Sequence, residues 1–203
     1  MTKRIILAAL AASFVAAPGL AQSAPTAVAV APTDDLVRVR IDTSEGPILL
    51  ALDRGRAPVT TRNFLDYIDK GKFGGEAFYR AMPYGKGGLI QGGITSDARK
   101  LAGPIAHEPT SQTGLKHVAG AVSMAAGGPG TAQSDFFILT TDIPGFDAKP
   151  ADPGFAVFGR VVEGMDVVKR IFAAPVSPTK GEGSMRGQML EPTVRITKAT
   201  RVP

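Results

Sequence analysis

Phe78-Tyr79-Arg80 sets a permanent cation beside two aromatic rings, and after a glycine-rich excursion Gln91-Gly92-Gly93 brings a neutral amide back to the same neighbourhood. A guanidinium donates several hydrogen bonds in a fixed fork and stays protonated near neutral pH. An amide both donates and accepts, so it can steer such a fork without cancelling its charge. On its own, Phe-Tyr-Arg reads as a surface arginine stacked on a tyrosine. The rest of the chain is what gives the pair a chemical meaning.

Other chemistries fail on the residues available. The chain has no cysteine, which removes disulfides, thiolate metal sites and a thiol nucleophile. His107 and His117 are its two histidines, both in loop-like sequence with no carboxylate at ligand spacing around them, so no metal site is expected. Ser123 and Ser134 lack the G-x-S-x-G surround of a nucleophile elbow. Gly127-Gly128-Pro129-Gly130 lacks the Lys-Ser/Thr that completes a phosphate loop, and Pro129 removes an N–H such a loop uses. No pair of carboxylates stands out for hydrolytic work. Covalent and metal chemistry both fail on this inventory.

The elements that must position these residues can be read in order. The 203 residues begin with Lys3-Arg4, an apolar run over 5–17 and Gly19-Leu20-Ala21, the layout of a cleaved signal peptide over 1–21. The apolar run is shorter than the ~20 residues of a spanning helix, so no stable membrane insertion is expected after cleavage. Removing Lys3 and Arg4 leaves 21 basic against 18 acidic residues, a net charge of +3 in place of +5, which implies solubility and no nucleic-acid partner. Residues 22–35, rich in Ala and Pro, read as a flexible linker, and 36–203 as one domain. Export without cysteine points to a periplasmic or secreted protein.

Within the domain, Val37, Val39 and Ile41 alternate with polar residues, as do Ile48, Leu50 and Leu52 after a Ser-Glu-Gly-Pro turn, which predicts a β-hairpin. A helix opens at Ala57-Pro58 and stops at Gly71. Short strands are expected near 77–80, 89–93, 120–125, 135–139, 155–162 and 193–196, with a loop over 83–88, a long surface excursion over 96–114 and a second helix from Met165 to about Phe172. Seven or eight short strands with 24 glycines and 16 prolines predict a mainly β fold, a barrel or sandwich, with the two helices covering its ends.

The order of the motifs resembles the cyclophilin family of peptidyl-prolyl cis-trans isomerases. The residues that carry it are Phe78-Tyr79-Arg80, Gln91-Gly92-Gly93, Glu108, Leu115-Lys116-His117, Ser123-Met124-Ala125, Phe136-Phe137-Ile138 and Phe158-Gly159-Arg160 through Met165. The resemblance covers about Val37 to Ile196 and implies a closed eight-stranded antiparallel β-barrel capped by two short α-helices, with a substrate groove on its outer face. It implies isomerisation of X-Pro bonds in unfolded or folding protein segments, with no cofactor, by a monomer. Arg80 and Gln91 fall on the catalytic positions. Phe78, Leu89, Ala126, Phe137, Phe146 and Phe155 fall on substrate-binding ones.

The chain also departs from the family. The segment between Arg80 and Gln91 is about three residues longer, and a pocket phenylalanine of the family falls on Gly88. Tyr84 is the expected replacement. Tyr79 stands for the usual histidine, Asp135 for a glutamine, Phe155 for a histidine, and Gly145 for the tryptophan that in eukaryotic members binds cyclosporin. These departures imply real but reduced isomerase activity and weak cyclosporin affinity. The alternative is a peptide-binding module or chaperone that keeps the groove without turnover.

Overall fold

The computed structural model describes residues 35–203. The expected leader (1–21) and linker (22–35) lie outside the described residues, Asp35 excepted. Asp35 is tied to the end of the first hairpin. Its carbonyl accepts from the N–H groups of Arg54 and Gly55, and its carboxylate takes both arms of the Arg54 fork at 2.7 and 2.9 Å.

Among the described residues nine strands build one antiparallel sheet: β1 (Leu36–Thr43), β2 (Gly46–Asp53), β3 (Ala77–Tyr84), β4 (Gly87–Gly93), β5 (Ala121–Met124), β6 (Phe136–Leu139), β7 (Ala156–Glu163), β8 (Val176–Ser177) and β9 (Met189–Arg201). Their order is β1-β2-β7-β5-β6-β4-β3-β9-β8, and β1 also pairs with β9. Eight strands therefore close into a barrel, and the two-residue β8 is an appendage on β9. Closure leaves those eight without a free edge. Among the described residues the α-helices are α1 (Pro58–Asp69), the single turn α2 (Thr110–Thr113) and α3 (Met165–Phe172).

The structure differs from the sequence reading at three elements. Pro83–Gly88 is not a loop but the end of the β3–β4 hairpin, where Tyr84 pairs with Gly87 and Met82 with Leu89. Glycines there serve close approach between strands: a Cβ on Gly88 would lie 1.9 Å from the Met82 carbonyl oxygen. The C-terminal strand runs from Met189 to Arg201, well beyond 193–196. The 96–114 excursion contains a 3-10 turn at Ala98–Lys100 as well as α2.

Strand alternation sends residues to two sides. Inside the barrel, Phe64 of α1 meets Phe73, Phe136 and Phe158 with ring centroids 5.0–5.1 Å apart, and Phe136 meets Phe78 edge-on at 5.6 Å. Outside, Leu89, Ala121, Phe137, Leu139, Ile143 and Val157 form a second apolar cluster. One sheet thus carries two apolar faces along β4, β5, β6 and β7.

Two buried carboxylates pin the long excursion. Glu108 accepts from the N–H groups of Val59 and Thr60 at 3.0 and 2.8 Å and from the Thr60 hydroxyl at 2.6 Å. That places an anion where the first turn of α1 leaves its N–H groups unpaired. Glu76 accepts from Thr95 and Ser96 backbone N–H, the Ser96 hydroxyl and Lys100 Nζ. Burial works to raise the Glu76 pKa, but these bonds outweigh it and hold the carboxyl below its usual range. The segment so fixed delivers Ile94 and Leu101 to the cleft described next.

Candidate active site

Register places the key residues in one row. Arg80 pairs with Gln91, Gln91 with Phe137, and Phe137 with Ser123 across β3, β4, β6 and β5. Paired residues on neighbouring antiparallel strands project to the same side, and strands lie about 4.8 Å apart. The backbone of Arg80 is thus two strands, about 10 Å, from that of Phe137, both on the outer face.

A β-bulge makes that placement possible. Phe78 pairs with Gly92 and Arg80 with Gln91, so Tyr79 is an extra residue in β3. In an unbroken strand, residues 78 and 80 would share a face. The bulge breaks the alternation, so that Phe78 is 0 % exposed in the barrel core while Arg80 lines the outer cleft.

The guanidinium is held by neutral oxygens on two sides. Nη1 donates to Gln91 Oε1 at 3.0 Å; Nε and Nη2 donate to Gln188 Oε1 at 2.9 and 2.7 Å. Among the described residues no ion pair includes Arg80. Burial lowers its pKa from the usual arginine value, an effect Tyr79 opposes, and the group remains cationic.

Gln91 is fixed in turn. Its Nε2 donates to the Tyr79 hydroxyl at 2.6 Å, and that hydroxyl donates to Asp135 Oδ2 at 2.5 Å. Burial, then the bond and charge of Asp135, push the phenol well above its usual pKa. Close approach explains both glycines of Gln91-Gly92-Gly93, with Asp135 crowding one and β3 the other. A Cβ on Gly93 would lie 2.0 Å from Asp135 Oδ1, and one on Gly92 would lie 2.9 Å from the Ala77 carbonyl oxygen where β3 crosses.

Next to the fork lies an aromatic floor. Phe137, Phe146 and Phe155 form a triangle with centroids 5.0–5.8 Å apart, and together with Met82, Leu89 and Ala126 they line a cleft of about 550 Å³. Beneath it the buried His117 ring stacks on Phe137 at 6.1 Å. Its Nδ1 is 2.8 Å from Asp147 Oδ1 and its Nε2 3.0 Å from Ser123 Oγ. The arrangement has the connectivity of a Ser-His-Asp triad, yet Ser123 is 0 % exposed behind the floor, and no substrate carbonyl can reach it. The chain therefore supports Phe137 instead of supplying a nucleophile. Burial lowers the His117 pKa and favours the neutral ring, against the opposing pull of Asp147.

Arg80, Gln91, Leu89, Ala126, Phe137, Phe146 and Phe155 all come together around this cleft. Two expected residues do not. Phe78 is turned inward by the bulge. Tyr84 sits at the tip of the β3–β4 hairpin, 46 % exposed and outside the cleft, because the hairpin extends past the floor. Met82, two residues closer to Arg80 on the same strand face, forms the wall instead. Gln188 has no sequence signal, since it lies in a polar glycine-containing stretch far along the chain. The Tyr79–Asp135 bond could have been suspected, because both positions depart from the family pattern together.

Comparison with known proteins agrees with this geometry. A family model for cyclophilin-type peptidyl-prolyl cis-trans isomerases matches residues 37–201. The chain is 37 % identical over 175 residues to peptidyl-prolyl cis-trans isomerase A of Dickeya dadantii, covering 84 % of this chain and 85 % of that protein. It is 35 % identical over 143 residues to a peptidyl-prolyl cis-trans isomerase of Acinetobacter baylyi, covering 68 % of this chain and 73 % of that protein. A cyclophilin-type isomerase crystal structure from Cryptosporidium parvum shares the fold, with a TM-score of 0.65 at 23 % identity over 83 % of this chain and 98 % of that one. The chain belongs to the cyclophilin-type peptidyl-prolyl cis-trans isomerases and is an enzyme of that class.

Proposed function

We propose that the chain is an exported isomerase that speeds X-Pro isomerisation in proteins folding outside the cytoplasm, with Arg80 as its catalytic residue. The observation that carries this reading is the row Arg80–Gln91–Phe137, a charged fork beside an apolar floor on one open face. The lysine-arginine start and small-residue cleavage pattern over 1–21 support export. Uncatalysed prolyl isomerisation takes tens of seconds, slow enough to limit folding.

The mechanism follows from amide electronics. Rotation about a peptide C–N bond meets a barrier of about 18–20 kcal/mol because the nitrogen lone pair is delocalised into the carbonyl. In the twisted transition state the lone pair returns to the proline nitrogen, which then accepts a hydrogen bond. Three Arg80 N–H groups are engaged by Gln91 and Gln188, leaving one on Nη1 and one on Nη2 for substrate. A donor fixed in that position has little to bind in the planar amide and a strong acceptor in the twisted one, which lowers the barrier. The Phe137–Phe146–Phe155 floor holds the pyrrolidine ring, and the second Gln91 Nε2 hydrogen faces a substrate carbonyl. No proton is transferred and no covalent intermediate forms.

A protease-coupled assay on a proline peptide tests the reading. The mature chain is expected to be active, and Arg80→Ala to lose roughly 100-fold or more in rate while peptide affinity changes little, the usual scale for losing one preorganised donor. A wild type that binds peptide with no turnover would instead identify a binding module. Mass determination of the exported protein is expected to place its N-terminus near Gln22.

A further inference from the structure

We infer that Gln188 is a second positioning residue of the isomerase site, delivered to Arg80 by the 176–188 segment and holding the fork from the side opposite Gln91. This rests on the reading of Arg80 as the catalytic residue. Gln188 Oε1 accepts from both Nε and Nη2, so one neutral oxygen fixes the edge of the guanidinium that Gln91 does not touch. A single acceptor on Nη1 would leave the fork free to swing about that bond. Two acceptors on opposite edges fix its plane.

The segment is built to hold that amide in place. Its ends are joined by β8 pairing with β9, Val176 with Leu190 and Ser177 with Met189. Gly187 N–H donates to the Lys180 carbonyl and Gln188 N–H to the Met185 carbonyl. A Cβ on Gly181, whose φ is +94°, would lie 2.4 Å from the Met185 carbonyl oxygen, so the turn closes tightly on itself. Gln188 is then fastened to β3 twice: its carbonyl accepts from Ala81 N–H at 2.8 Å, and its side chain accepts from Arg80. Its Nε2 donates to the Ser184 carbonyl at 2.7 Å, which orients the amide with oxygen toward the fork.

The choice of a neutral acceptor has a chemical reason. A carboxylate at this position would accept the same two bonds and also neutralise the charge that the proline nitrogen is to meet. The charged or titratable groups around the position are Arg80, Tyr79 and Asp135 beyond Gln91, and Lys180, Glu182, Arg186 and Glu191 on the segment and β9. Lys180 and Glu191 pair with each other.

The test compares Gln188→Ala, Gln188→Glu and Arg80→Ala with wild type, using NMR exchange on an alanyl-proline peptide. Gln188→Ala is expected to lower kcat about tenfold with KM within about twofold, the signature of a disordered donor. Gln188→Glu is expected to lower kcat with peptide affinity nearly unchanged, because a carboxylate there accepts the same two bonds and neutralises the fork, and the guanidinium keeps it ionised across the working pH range. A purely structural role would not split kcat from KM in this way. If Arg80→Ala is inactive while Gln188→Ala and Gln188→Glu keep wild-type kcat, the inference about Gln188 is overturned and the catalytic reading stands. If Arg80→Ala keeps its rate, the catalytic reading itself falls. Should Gln188→Ala not fold, Gln188→Glu, which keeps both hydrogen bonds, decides alone.

Discussion

Phe136 and Phe137 are adjacent in β6, are 0 % and 3 % exposed, and do opposite work. Phe136 points into the barrel among Phe64, Phe73 and Phe78, closed off from solvent. Phe137 points outward onto a floor with Phe146 and Phe155, supported from below by His117 and open to a cleft with a cation at its edge. The inner face is satisfied by packing alone. The outer one is apolar area kept available beside an unneutralised charge, which is what a proline ring and a twisting amide require.

Substitutions should separate the two faces. Phe136→Ala is expected to cost about 3–5 kcal/mol of stability, read by denaturant melts, with near-normal turnover in whatever fraction stays folded. Phe137→Ala should do the reverse in kind. Peptide affinity is expected to weaken by roughly tenfold or more, with a smaller loss of stability than Phe136→Ala because the space left behind would join the cleft and fill with water instead of remaining an enclosed cavity. If both variants lose stability alike and keep affinity, the division of labour is wrong. Tyr79→Phe leaves Gln91 Nε2 without its acceptor and is expected to cost about threefold in kcat, on the scale of one neutral hydrogen bond. Peptide affinity should hardly change.

The smallest effect concerns pH. Burial lowers the folded pKa of His117, so the unfolded chain takes up this proton first as the solution is acidified. Stability from this group is complete above the unfolded value of about 6.5 and is lost as pH falls from there toward the folded value. Thermal melts of wild type should therefore decline below pH ~6.5, and His117→Gln should flatten that part of the profile. An unchanged slope in the variant would assign the decline to other groups.

Much of this was legible from pattern. Alternation in 37–52 and the apolar run at 136–139 gave those strands, and Gly71 gave the stop of the first helix, since half-buried strands and capped helices write their burial into residue order. Arg80, Gln91 and Phe137 were singled out from residue type and family order, and the structure brings them to one cleft. Phe78 was carried over with Arg80 from the family order; a bulge at Tyr79, a single extra residue with no composition of its own, turns it into the core instead. Tyr84 was misplaced because a glycine-rich run reads as loop, whereas here glycine permits tight strand pairing. Gln188 was invisible because its role depends on a contact 108 residues away.

The central claim is that a fork in a fixed position, and not positive charge alone, lowers the barrier. Arg80→Lys keeps the charge and loses the fork that Gln91 and Gln188 clamp. The decisive measurement is the cis–trans exchange rate of a proline peptide while bound to Arg80→Lys, read by NMR at saturating enzyme. The geometry predicts exchange at least about tenfold slower than on wild type with affinity nearly unchanged. Exchange as fast as on wild type would contradict it.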